Sequence, residues 1–308
     1  ESAGEDPFLG SRIAEARVKG FQGDDLSKEN TIAACAKHFA AYGFAEGGRD
    51  YNSTDFSETT LRNIILPPFK ACVDAGVATF MNGFNDLGGV PATGSKQLQR
   101  DILKGKWGWN GFVVSDWGSI GEMIAHGYAE DKNHAAEIAM NAGSDMDMES
   151  YAYINHLEKL VNEGKVKMDV IDDAVRRVLR VKYELGLFDD PYLYCDAKRE
   201  KTSIGNAANN AAVLDMAKKS IVLLKNEKNL LPLKKDQQKI AVIGTLATDK
   251  DSPLGSWRLA AEKNSAVSVM EGLKKYSSNV THAAGPQSFV GESGFFFDVV
   301  VNETDTTG

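Results

Sequence analysis

Gly111-Phe112-Val113-Val114-Ser115-Asp116-Trp117 is an apolar run that ends in a carboxylate followed by an indole. A strand buried on both faces of a parallel sheet reads as a continuous hydrophobic run, so Phe112 to Val114 predicts a core strand with Asp116 at its carboxyl end. Parallel α/β folds place their chemistry at that end. A competing reading makes Asp116 the N-cap of a following helix, which Gly118-Ser119-Ile120 can open.

Neighbouring segments repeat the pattern. Thr31 to Ala36 runs into Lys37-His38, and Ala78 to Met81 runs into Asn82. Asp145 to Met148 is a fourth strand candidate, after a helix-like stretch Asn133 to Ala142 and a stop signal at Gly143. Short apolar runs alternating with helical segments predict repeated βα units around a parallel sheet. Leu61 to Asp74 carries Pro67-Pro68, a pair that kinks or starts a helix. In Val170 to Leu185, Ile171, Ala174, Val175, Val178, Val181 and Leu185 fall at helical steps, with Gly186 as the C-terminal stop.

Periodicity fades over 189–211, which reads as a linker between a first domain, 1–188, and a second, 212–308. In the second, Met216 to Leu224 predicts a helix, Lys239 to Gly244 a buried strand, and 280–308 strand-like structure with a dense apolar run from Phe295 to Val301.

At 308 residues with 43% hydrophobic and 25% charged side chains, the chain has the composition of a globular protein. A net charge of −8 without a Lys/Arg cluster disfavours nucleic acid and anionic membrane as partners. No apolar run approaches the ~20 residues of a membrane helix. Cys35, Cys72 and Cys195 show no metal-ligand spacing, and Cys35 and Cys72 read as buried small hydrophobes. Asp145 and Asp147 lack further clustered ligands and read as structural rather than metal-binding. No cofactor is implied. The Asn-x-Ser/Thr matches at Asn52, Asn279 and Asn302 are too common to indicate secretion.

Lys37, His38, the group near Asn82 to Phe84, and Asp116-Trp117 therefore converge on one rim of the sheet. A cation and an imidazole can donate to sugar hydroxyls, and an indole stacks on the apolar face of a pyranose. A carboxylate there can attack an anomeric carbon. Each residue also has an ordinary structural reading, as ion-pair partner, core histidine or packing aromatic.

Gly4-Glu5-Asp6-Pro7, Lys37-His38-Phe39-Ala40-Ala41-Tyr42-Gly43, Gly47-Gly48-Arg49-Asp50-Tyr51, Pro67-Pro68-Phe69, Gly89-Val90-Pro91-Ala92, the stretch from Trp107 to Trp117, and Gly186-Leu187-Phe188 follow one another in order. Ser220 to Asn226 and Leu231-Pro232-Leu233 continue the series. Together they resemble the signature blocks of glycoside hydrolase family 3 over essentially the whole chain. The resemblance implies a (β/α)8 TIM-like barrel followed by an α/β sandwich, acting as a retaining, exo-acting β-glucosidase in the periplasm or outside the cell. It assigns Asp116 as nucleophile, Lys37 and His38 as ligands of sugar hydroxyls, and Trp117 as an aromatic wall. Phe84 stands where many members carry a tyrosine, so its expected contribution is packing.

Residues 1–188 fall short of the ~250 residues of a complete barrel, so its first strands are expected to be missing from this chain. With them go an Asp and an Arg that the family uses to grip the sugar. The acid/base glutamate is expected beyond the last residues, because Glu292 and Glu303 stand in no matching block. The chain thus reads as an internal fragment whose partners are a β-glucoside substrate and the missing segments of the same enzyme.

Alternatives remain. An N-acetylglucosaminidase would carry a His-Asp dyad soon after Lys37-His38-Phe39, and Ala40-Ala41-Tyr42-Gly43 holds no such histidine. A β-xylosidase differs only by accommodation of one hydroxymethyl group. A TIM-barrel lyase would use a desolvated Lys37 as Schiff-base amine. Alone, the chain reads as non-catalytic, since Asp116 lacks a proton donor.

Overall fold

The computed structural model describes residues 3–285 apart from Ser256 and Ala260. The chain forms two compact units, 1–204 and 205–308. The division falls inside the expected linker 189–211. Ahead of it, Tyr194 donates its hydroxyl to Leu26 O and to Leu185 O at 3.2 Å, and Arg199 pairs with Glu29 at 2.8 Å, all within the first unit.

The first unit opens with α1 (Pro7–Gln22), which starts because the Asp6 carboxylate accepts the Phe8 and Leu9 amides at 3.0 and 3.4 Å and Pro7 needs no partner in the first turn. Its last residue organises the sheet. The buried Gln22 carbonyl accepts the amides of Ala34 at 3.1 Å and Ala78 at 2.9 Å, while its amide nitrogen donates to Gly76 O at 2.9 Å. Two strand entries are thereby tied to one helix end.

β1 (Cys35–Phe39) is followed by α2 (Leu66–Asp74), β2 (Thr79–Asn82) and β3 (Phe112–Val114). The strands form a parallel sheet in the order β1-β2-β3, with Cys35 opposite Thr79 and Thr79 opposite Phe112. Phe39 and Phe80 are fully buried, their rings edge-on at 5.2 Å, and Phe80 meets Trp109 at 4.9 Å. Truncating either phenylalanine to alanine removes about 3 to 5 kcal/mol of such packing. Gly111 enters β3 where an added Cβ would sit 2.0 Å from Ala78 O, so no side chain fits at that crossing.

Beyond β3 come α3 (Lys132–Ala142), α4 (Ala152–Asn162), α5 (Met168–Glu184) and α6 (Ala197–Ser203). Ile120 and Met123, from the segment after Asp116, pack with Ala135, Ala139 and Leu160 in a second fully buried cluster. Asp131 caps α3 through the His134 amide at 2.8 Å, and Gly143 ends it in the left-handed region. The α/β class with parallel sheets is as expected.

Several local expectations change. The strand predicted over Thr31 to Ala36 begins at Cys35, because Gln22 takes the Ala34 amide, and it contains Lys37 and His38 instead of ending at them. Cys72 is buried, but Cys35 is exposed, on the face of β1 that it shares with Lys37 and opposite the buried Ala36. The fourth strand candidate reaches the sheet at one point, a parallel bridge between Val114 and Met146. Asp147 then turns the chain away by accepting the Ala152 and Tyr153 amides at 2.7 and 3.2 Å. Pro67 and Pro68 start α2 after one wide π turn, Leu61–Ile65.

In the second unit, α7 (Ala207–Ser220), β4 (Ile240–Ile243), α8 (Val269–Lys274) and β5 (Val280–Ala283) are present, with β4 and β5 paired in parallel. The helix expected over Met216 to Leu224 starts instead where Asn206 accepts the Asn209 amide at 2.8 Å. It ends at Ser220, because Ile221 is extended. The expectations at Phe295 to Val301, Glu292, Glu303 and Asn302 lie outside the described residues.

Candidate active site

Asp116 leaves β3 through Ser115, whose amide donates to Met146 O at 2.9 Å and whose hydroxyl accepts the Met148 amide at 2.8 Å. The carboxylate is buried, 7% exposed. Oδ1 accepts the Trp117 amide at 2.7 Å, while Oδ2 lies 3.2 Å from His38 Nε2 without a directed hydrogen bond. One oxygen is thus held and the other is available. The capping reading does not hold in its simple form: Asp116 Oδ1 bonds only its immediate neighbour, and the helix Ser119–Glu122 has Gly118 at its start.

Burial raises the pKa of Asp116, against the Trp117 amide, His38 and Lys37, which favour its anion, and Asp50 adds to the upward push. Lys37 is exposed on β1. Trp117 is 51% exposed, so its indole is open for contact rather than spent in the core. Phe84 is half-buried and belongs to an aromatic chain, 4.6 Å from Tyr51 and 5.9 Å from Tyr42, which in turn meets His38 edge-on at 5.2 Å. The structure therefore links Phe84, His38 and Asp116 through Tyr42.

Three residues at this rim received no role from sequence. Tyr42 donates its hydroxyl to Asp50, and burial, then that bond, raises its pKa. Tyr51 is raised by burial and then by Glu122. Glu122, at the end of the short helix after Asp116, is pushed up to about 7 by burial, then by Asp116 and Asp50. Tyr42, Asp50 and Tyr51 lie within the ordered motif blocks, but nothing in their spacing shows the loop folding back to Asp116. Glu122 had no local signal.

Asp145 and Asp147 have structural partners, Lys104 and the start of α4 respectively. Among the described residues no group of three His, Cys, Asp or Glu could hold a metal ion.

The profile of the glycosyl hydrolase family 3 N terminal domain matches residues 1–181, and that of the family's C-terminal domain matches 221–306. The chain belongs to glycosyl hydrolase family 3. Its fold class is accordingly a TIM-barrel-like part followed by an α/β sandwich part. A periplasmic beta-glucosidase of Salmonella typhimurium is 42% identical over 277 residues, covering 89% of this chain and 36% of that protein. A beta-xylosidase of Formosa agariphila is 38% identical, covering 89% of this chain and 40% of that protein. The beta-glucosidase from Listeria innocua in complex with glucose superposes with a TM-score of 0.86 at 39% identity, covering 99% of this chain and 42% of that one. A mutant of the same enzyme in complex with laminaribiose gives 0.87 at 38%, with 99% and 42% covered. The chain thus spans about two fifths of the length of these family 3 relatives.

Proposed function

We propose that this family 3 chain carries the nucleophile and part of the sugar-binding rim of a retaining, exo-acting β-glucosidase. The observation that supports it is the asymmetry of Asp116: Oδ1 is fixed by the Trp117 amide and Oδ2 stands beside His38 with no directed hydrogen bond. Oδ2 attacks the anomeric carbon of a terminal β-glucosyl residue, the bond to the leaving oxygen breaks with its electron pair, and water later resolves the glycosyl-Asp ester. Lys37 and His38 donate to hydroxyls of that sugar and favour the Asp116 anion. Trp117 forms the aromatic wall beside it, and Phe84 packs behind Tyr42 and Tyr51. The acid/base carboxylate, about 5 to 5.5 Å from the nucleophile in a retaining site, comes from outside the described residues.

β-Xylosidase activity is the second reading, favoured by the Formosa agariphila relative. The Salmonella typhimurium relative supports a periplasmic location, and among the described residues no helix is long and apolar enough to cross a membrane. Incubating the natural protein that carries this chain with 2-deoxy-2-fluoro-glucosyl and 2-deoxy-2-fluoro-xylosyl inactivators, followed by peptide mass analysis, tests both. A glucosyl adduct on Asp116 supports the first reading, a xylosyl adduct alone the second. An adduct on another carboxylate overturns the nucleophile assignment.

A further inference from the structure

Phe84, Asn85 and Asp86, just after β2, grip both ends and the middle of the loop 41–54 that follows β1. Asn85 is fully buried, and its Nδ2 donates to Ala40 O at 3.2 Å, where the chain leaves β1. An added Cβ at Gly83 would sit 2.5 Å from Asn85 Oδ1, so the lack of a side chain there leaves room for that amide. Asp86 takes the far end of the loop. Its Oδ2 accepts the Ser53 hydroxyl at 2.7 Å, its carbonyl accepts the Thr54 amide at 3.0 Å and the Thr54 hydroxyl at 2.7 Å, and its Oδ1 accepts the Gly89 amide at 2.9 Å. Gly88 N donates to Thr54 O at 3.1 Å and closes the same end. Between the two grips the Tyr51 ring lies 4.6 Å from Phe84, and Asp50 Oδ1 accepts both the Tyr42 hydroxyl and, at 2.9 Å, the Tyr51 amide. Tyr42 meets His38 edge-on at 5.2 Å, and His38 Nε2 stands 3.2 Å from Asp116 Oδ2.

We propose that Asn85 and Asp86 are positioning residues for the reaction at Asp116: they clasp the two ends of the loop 41–54, so that Tyr42 stays against the His38 imidazole and His38 stays beside the nucleophile. The inference rests on reading Asp116 as the nucleophile and His38 as a ligand of the sugar hydroxyls. A donor beside a reacting centre is effective when packing and hydrogen bonds around it fix its place before the sugar arrives. Asn85 acts through Ala40, two residues after His38. Asp86 grips Ser53 and Thr54, and its influence reaches His38 through the loop and Tyr42. A clasp that served stability alone would cost the same whether or not Tyr42 was present.

The test is a double-variant cycle in the natural protein, read as kcat/KM on the aryl β-glucoside or β-xyloside that it hydrolyses. Asp86→Ala gives up the Ser53 and Gly89 bonds and is expected to lower kcat/KM about 30-fold. Asp86→Asn, whose amide can still accept from Gly89 N and donate to Ser53 Oγ, recovers most of that loss. In a Tyr42→Ala background Asp86→Ala costs less than about twofold more, because the link to His38 is already cut. Ser53→Ala, at an exposed position, removes a single side-chain bond to Asp86. It is expected to cost about threefold, again only with Tyr42 present, and it decides the matter if Asp86→Ala does not fold. The same loss with and without Tyr42 overturns the inference, and so does full kcat/KM in Asp86→Ala, or in Ser53→Ala where Asp86→Ala is unfolded. The fluoro-sugar label separates the two readings. An adduct on Asp116 in wild type alongside an additive cycle overturns the clasp alone, whereas absence of an adduct on Asp116 overturns the nucleophile reading and the clasp with it.

Discussion

Lys104 Nζ donates to both carboxylate oxygens of Asp145, at 2.6 and 2.7 Å, and Asp145 Oδ2 also accepts the Val113 amide at 2.8 Å. The Asp145 amide donates back to Val113 O at 2.8 Å, so one residue takes both backbone groups of Val113 along one edge of the strand that delivers Asp116. The two side chains are 5% and 1% exposed. Burial works against both charges, lowering the lysine to about 8 and raising the aspartate against the pull of its partner.

A pair of this kind adds little net stability but is costly to break. Asp145→Asn is expected to lose about 3 to 5 kcal/mol in urea unfolding, while Lys104→Met with Asp145→Leu recovers much of that loss. Equal losses in the single and double variants would show that the charges are not the issue.

Asp116→Ala is expected to lower glycosidase turnover by about four orders of magnitude, since no other group forms the covalent ester. Its unfolding temperature should hold or rise, because a buried carboxylate is removed. Turnover within tenfold of wild type would exclude Asp116 as nucleophile.

His38→Ala is expected to cost about 10² to 10³ in kcat/KM, the size of losing one fixed donor at a charged centre. Lys37→Ala, at an exposed position, should cost less and act mainly on KM. Steady-state kinetics on an aryl β-glucoside checks both.

Glu122 also makes stability depend on pH. Its carboxyl is raised from the ordinary 4.5 to about 7, chiefly by burial, so the folded state holds its proton more tightly than the unfolded chain. The contribution is fully present below the unfolded value and is lost as pH rises toward the folded one. Glu122→Gln, which cannot ionise, should therefore gain on wild type in unfolding temperature as pH is raised from about 4.5 to 7. A difference that stays constant over that window would mean the carboxyl is not perturbed.

Trp117→Ala should change stability little, because the indole is already half in solvent. It is expected to raise KM about tenfold by removing a stacking face for the sugar. An unchanged KM would move the aromatic wall elsewhere.

How far the sequence was legible depended on how local each cause was. Phe112 to Val114, α3 and α5 were readable because burial on a strand or a helix face leaves a short-range pattern, and Gly143 and Asp131 bound α3 by chemistry within one turn. The start of β1 was misplaced because its ladder is set by Gln22, which sits in a different element and takes the Ala34 amide. The Met146 segment was read as a strand because its side chains suit one. Asp147 ended it by capping α4.

The same division runs through the site. Sequence by itself determined the family and the α/β class, because ordered motif blocks and strand patterns survive in one dimension, and it nominated Lys37, His38, Phe84, Asp116 and Trp117 as the candidate set. Only the tertiary structure decided which oxygen of Asp116 is held by Trp117 and which stands beside His38, and that Tyr42 bridges His38 to Phe84. It also brought Asp50, from the loop after β1, and Glu122, from the short helix after Asp116, into electrostatic interaction with Asp116. Charge acts through space, and its strength is set by distance and by the water that burial excludes, neither of which is written along the chain.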